Sequence, residues 1–133
     1  MRRLAIMVVV TLGLGSAVGA LGASLLDAQP QGIKRVGLLD TDLAEMQGQQ
    51  AHFWAAAIAP GAETGKHSHP TTRFVYVLEG SVTLERDGRP PQMFKAGEAF
   101  SEPPGDVHNF RNASAPAKAL GFQIARKGQA LQN

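Results

Sequence analysis

From residue 34 to residue 125 the chain is a succession of short apolar runs divided by Gly, Pro, Asp and Asn. Lys34 to Leu39 predicts a first strand, and Asp40 to Gly48 a loop or a single helical turn. Ala51 to Ile58 predicts a second strand, stopped by Pro60-Gly61. Phe74-Val75-Tyr76-Val77-Leu78 is rich in β-branched and aromatic residues and predicts a third. After Gly80, the run Ser81 to Arg86 alternates, with Val82 and Leu84 apolar and Thr83 and Glu85 polar. Asp87-Gly88 predicts a tight two-residue hairpin turn, with the return strand over Gln92 to Phe94. Ala99 to Glu102, Val107 to Phe110 and Ala117 to Ala125 complete the set. Short strands at this regular spacing predict an all-β sandwich or barrel.

The first 28 residues follow a different pattern. Arg2 and Arg3 precede an uncharged stretch from Leu4 to Leu26, which ends among small residues. That order predicts a secretory signal peptide, cleaved after Gly22 or Ala28. The alternative is an uncleaved membrane anchor, since the stretch is long enough to span a bilayer. Both readings put the remainder outside the cytoplasm, periplasmic or secreted. The expected organisation is a leader or anchor plus linker over 1–28, one barrel over 33–126 and a C-terminal tail over 127–133.

Composition narrows the chemistry. A chain of 133 residues is one domain. Without cysteine there is no disulfide framework, no thiolate site and no lipoprotein anchor. The formal net charge is only +2, and no Lys/Arg run is interleaved with aromatics, so nucleic acid is not an expected partner.

The chemistry-bearing pattern is carried by histidines. One cluster reads Gly61-x5-His67-x-His69-x3-Arg73-x6-Gly80, and a second reads Gly97-x5-Pro103-x-Gly105-x2-His108-x3-Asn112. Residues two apart on a strand share a face, so His67 and His69 can aim at one point and His108 can join them from another strand. At these spacings the chain resembles the cupin superfamily, over roughly residues 33 to 126. The resemblance implies a jelly-roll β-barrel with a metal in its mouth, held by His67, His69 and His108. The metal would be a divalent transition ion, Fe, Mn, Ni, Zn or Cu. One position departs from the family pattern. The usual fourth ligand is a glutamate where this chain has Arg73, and a guanidinium has no lone pair to offer.

Arg73 therefore decides the functional reading. If the strand runs without a bulge, its parity with His67 and His69 points its stem into the barrel, where its charge adds to that of a divalent ion; the alternative is a side chain turned outward into solvent. A protein carboxylate (Glu63, Glu79 or Glu102) or an anionic ligand should offset that sum. For Glu102 the simpler reading is a solvated charge at a strand end. The other is an inward side chain that pairs with Arg73 or replaces the missing ligand. His52 has no motif partner and is expected to be a strand residue outside the cluster. The motif glycines and Pro103-Pro104 are expected to shape turns, and Asn112 to bond a loop. Phe74, Tyr76, Phe100, Phe110, Phe122 and Met93 are expected as barrel filling or dimer contacts. Val36, Leu38 and Leu39, near the first strand's edge, suggest a homodimer.

These residues point to an exported metal-binding cupin that takes a small, anionic ligand. The resemblance permits dioxygenase-like catalysis, with Arg73 holding the substrate's charge. It equally permits a non-catalytic binding barrel, or a degenerate one in which Arg73 replaces the metal.

Overall fold

The alternation of side chains along each strand is what builds the protein. The computed structural model describes residues 29–133; the expected leader lies outside them. Eight strands follow in order: β1 (Ile33–Asp42), β2 (Gln49–Ile58), β3 (Arg73–Glu79), β4 (Ser81–Arg86), β5 (Gln92–Lys95), β6 (Ala99–Glu102), β7 (His108–Arg111) and β8 (Ala117–Arg126). They form two antiparallel sheets, one ordered β1-β2-β8-β3-β6 and the other β5-β4-β7. The described residues contain no helix, and so none long and apolar enough to cross a membrane.

Period-two alternation sorts the residues between core and surface. On β3, Arg73, Val75 and Val77 turn inward while Phe74, Tyr76 and Leu78 face out. Val82 and Leu84 of β4 meet Val75, Val77, Phe100 and Phe110 between the sheets, in a core shared with Ile33 and Ile58. β8 presents small residues inward, Ala117, Ala119 and Gly121, which leaves room for larger neighbours. The indole of Trp54 occupies the space over Gly121, where any Cβ would overlap it.

Several elements differ from expectation. β1 continues to Asp42, so the expected loop or helical turn begins inside a strand. Asp40 to Asp42 stay extended because they pair with His52 to Gln50 of β2. Asp87 and Gly88 do centre a turn, closed by the Arg89 N–H on the Arg86 carbonyl at 3.2 Å, but five residues, 87–91, separate β4 from β5. Pro90 and Pro91 lack the N–H that a ladder needs, so pairing resumes only at Leu84 with Gln92. Gly80, at φ 72°, breaks β3 from β4 as expected. A Cβ there would also stand 2.6 Å from the carbonyl oxygen of Pro116.

One inward row is polar throughout. Register links Asp40 to His52, His52 to Gln123, Gln123 to Arg73 and Arg73 to Glu102, across all five strands of the larger sheet. Four of these five residues, all but Asp40, are buried. Its Arg73 and Glu102 end lies beside the motif histidines.

Candidate metal centre

His67 and His69 sit in the connection between β2 and β3, not on a strand as their spacing suggested. A single bridge fixes His67: its N–H and carbonyl exchange bonds of 2.9 Å with those of His108 at the start of β7. All three imidazoles are buried, and their candidate ligand nitrogens lie within 4.8 Å of one another.

Each ring donates its Nδ1 hydrogen to a backbone carbonyl: His67 to Gly65 at 2.8 Å, His108 to Asp106 at 2.8 Å and His69 to Leu131 at 2.9 Å. A carbonyl only accepts, so Nδ1 carries a hydrogen, and in the neutral imidazole Nε2 keeps its lone pair. Metal-bound histidines are oriented in this way by their outer partners.

Glu102 is the fourth member. It is 3% exposed, which corrects the reading of a solvated strand-end charge. Its Oε2 lies 3.1 Å from His69 Nε2 and its Oε1 3.2 Å from His108 Nε2. These distances suit hydrogen bonds but the angles do not, and both nitrogens remain buried without a hydrogen-bond partner. Adjacent ligands around an ion with ~2.1 Å bonds stand ~3.0 Å apart at right angles and ~3.4 Å apart in a tetrahedron. The donor set therefore has the spacing of ligands gathered round one point, and a divalent transition ion fits it. The sequence signal for Glu102 was alternation: Phe100, two residues earlier on β6, is in the core.

Electrostatics agree. Burial pushes the His67 pKa down to about 4, against a weaker opposing bond to Gly65. Burial, aided by the nearby Arg73 charge, also lowers His69 despite Glu102. For Glu102 burial alone would raise the pKa; His108 and His69 outweigh it and hold the carboxyl below its usual range. Burial disfavours the His108 cation too, but the carboxylate of Glu102 beside it wins and the pKa rises. Burial thus favours the neutral, ligating form of His67 and His69, while Glu102 favours the cation of His108.

Arg73 is buried, with its charged head inside. Its Nε and Nη2 donate to Gln123 Oε1 at 3.3 and 3.2 Å, and Nη2 also donates to the Leu131 carbonyl at 3.1 Å. Its guanidinium carbon lies 4.8 Å from the Trp54 ring centre, within cation–π range. Arg73, Trp54, His67, Glu102 and Arg35 border one cavity of about 40 Å³. A water occupies roughly 10–15 Å³ on this measure, so the space admits about three waters or the head of a small ligand. His52 lies outside the triad as expected. It is nevertheless buried, with Nδ1 2.8 Å from Asp40 Oδ1. Asn112 bonds a loop as expected, its amide reaching the carbonyls of Ile58 and Ala115.

Solved structures with this fold include a cupin-like protein of Thermotoga maritima, with 24% identity, a TM-score of 0.57, and coverage of 71% of this chain and 74% of that one. A polyketide cyclase, RemF of Streptomyces resistomycificus, has 21% identity, a TM-score of 0.59 and coverage of 74% of each chain. The DMSP lyase DddQ of Ruegeria pomeroyi has 22% identity and a TM-score of 0.55, and the match covers 60% of this chain and 41% of the lyase. At these identities the likeness is one of fold. No curated protein matches the chain in sequence. The family model for the cupin domain matches residues 54–122, over half of the chain, and spans Trp54, the three histidines, Arg73 and Glu102. The chain belongs to the cupin family.

Proposed function

We propose that this protein is an exported, metal-dependent enzyme acting on a small organic anion. His67, His69, His108 and Glu102 are its metal ligands, and Arg73 is its anion-holding residue. The carrying observation is the arrangement of two buried imidazole nitrogens around the Glu102 carboxylate, at ligand spacing and without hydrogen bonds. It weakens the degenerate reading, which needed Arg73 to stand in for a lost carboxylate.

Charge supports the anionic substrate. A divalent ion, one carboxylate and Arg73 sum to a formal +2 beside a small cavity, and Arg35 adds to it. Two like unit charges at ~6 Å repel by about 3 kcal/mol at an effective dielectric near 20, so an anion in the cavity relieves real strain. Bound at this site, a divalent transition metal supplies Lewis acidity or, as Fe(II), access to O2 chemistry. The chain's own part is to orient the anion on Arg73 and to exclude water with Trp54, Val75 and Phe110. A cyclase and a lyase share the fold, so a barrel of this kind accommodates catalysis.

The outer face of the larger sheet supports a homodimer. Phe74, Tyr76 and Leu78 of β3 are 51%, 43% and 42% exposed, and their outward neighbours Leu120, Phe122 and Phe53 are apolar too. An apolar patch of this kind marks an interaction surface.

Metal analysis of the purified full chain, followed by O2-uptake and product assays against short carboxylates, diketones, thiols and phenols, tests the proposal. One divalent ion per chain and turnover of an anionic member are expected. Less than stoichiometric metal after reconstitution overturns it. Metal without turnover leaves the binding-protein reading in its place.

A further inference from the structure

We infer that the segment after β8, Gly128–Asn133, is a working part of the metal centre, a strap whose Leu131 carbonyl positions both His69 and Arg73. His67 and His108 find acceptors for Nδ1 two residues away in sequence, at Gly65 and Asp106. His69 finds its acceptor 62 residues away, at Leu131. The same oxygen accepts from Arg73 Nη2 at 3.1 Å and from Gln123 Nε2 at 3.4 Å. One carbonyl thus ties a ligand imidazole, the cation beside the cavity and the glutamine that also holds that cation.

The strap is built to hold this oxygen in place. The Leu131 side chain is buried at 4% exposure. The Asn133 N–H donates to the Ser68 carbonyl at 2.9 Å, next to His69 itself. At the near end the Gln129 side chain accepts from the Arg126 N–H at 3.1 Å, and the Gln129 N–H returns a bond of 2.9 Å to the Arg126 carbonyl. Both ends are therefore pinned, and the carbonyl between them faces the site. Outer partners of ligating histidines change metal affinity by about 10- to 100-fold. The strap is a positioning element, and losing it frees the His69 ring to rotate and releases Arg73 from one of its anchors.

The metal arm of this inference rests on the proposed metal site; the imidazole arm does not. The full chain is compared with the same chain ending at Lys127, both metal-free, by nitrogen-resolved NMR of the imidazole N–H protons. The expected result is protected Nδ1 protons for His67, His69 and His108 in the full chain, beside that of His52, and selective loss of the His69 proton in the shortened one. Zn(II) binding should weaken about 10- to 100-fold in the shortened chain. Should the shortened chain not fold, Leu131→Met and Leu131→Asp replace it. The methionine keeps the strap docked, and the aspartate expels it. Retention of the His69 proton in the shortened or aspartate chain overturns the inference, and so does equal loss of all three protons, which marks general loosening. If the full chain takes up no Zn(II), the proposed function fails, while the imidazole signals still judge the strap.

Discussion

Arg73 of β3 and Glu102 of β6 are direct register partners across one antiparallel ladder. The cation occupies the position where the family pattern expects a carboxylate, and the carboxylate sits opposite, one strand over. From there Glu102 still reaches the nitrogens of His69 and His108. A carboxylate thus stands beside the histidines although Arg73 holds the position where the family pattern has one.

Glu102 should therefore behave as a ligand. Glu102→Gln keeps the shape and removes the charge, and Glu102→Ala removes both. Titration calorimetry with a divalent ion should show losses larger than the 10- to 100-fold typical of an outer partner. A loss of under tenfold in both variants would return Glu102 to a structural role.

Arg73→Glu should not improve the site. It sets a second carboxylate against Glu102 and removes the donors to Gln123 and Leu131. Uncompensated buried charge costs several kcal/mol, so urea unfolding should show a destabilisation of roughly 3 kcal/mol or more. Arg73→Ala should leave metal binding near its original strength while weakening anion binding, read as a raised KM or ligand Kd.

The metal-free protein should lose stability on the acid side. The folded pKa of His67 is lowered from 6.5 to about 4, so between those values the unfolded chain binds more protons than the folded one. Stability contributed by neutral His67 is present above 6.5 and falls as pH drops towards 4, by up to roughly 3 kcal/mol. His108, whose pKa is raised, acts oppositely, its share fading as pH rises through the raised value. Denaturant midpoints measured from pH 4 to 6.5 should fall towards acid in the parent and flatten in His67→Gln.

Trp54 is the only tryptophan in the chain and reports directly on the cavity. Gly121→Ala forces the indole off its seat, because a Cβ overlaps the ring and the flanking β2 and β3 ladders hold the backbone. Overpacking of this kind costs typically 1–3 kcal/mol. The variant should show red-shifted emission and a lower unfolding midpoint. Unchanged emission would mean that the sheet yields and the ring does not.

Phe74→Glu and Tyr76→Glu place charge on the apolar outer face without touching the core. Light scattering should show a dimer for the parent and a monomer for each variant. A monomeric parent across a wide concentration range removes the dimer.

The fold was legible because strand alternation and turn residues carry it locally. Val82 and Leu84, or Val75 and Val77, announce their faces by period two, and the histidine spacings select the barrel. The turn at Asp87-Gly88 was legible, but the strands it joins pair only from Leu84 and Gln92 because Pro90 and Pro91 lack the N–H that a ladder needs. Glu102 was legible in principle from its parity with Phe100, but a charge beside a proline turn reads as solvated until its neighbours in space are known. Leu131 was not legible at all: its contribution is a backbone carbonyl, which every residue has, and two of its partners, His69 and Arg73, lie 62 and 58 residues away.

That separation also sets an order of events in refolding. Closing a loop of 62 residues carries an entropic cost that the two-residue contacts of His67 with Gly65 and of His108 with Asp106 do not. The His69 ring should therefore find its acceptor last, after the strands around it have paired. Refolding followed by NMR should show the His69 Nδ1 proton as the last of these three to appear.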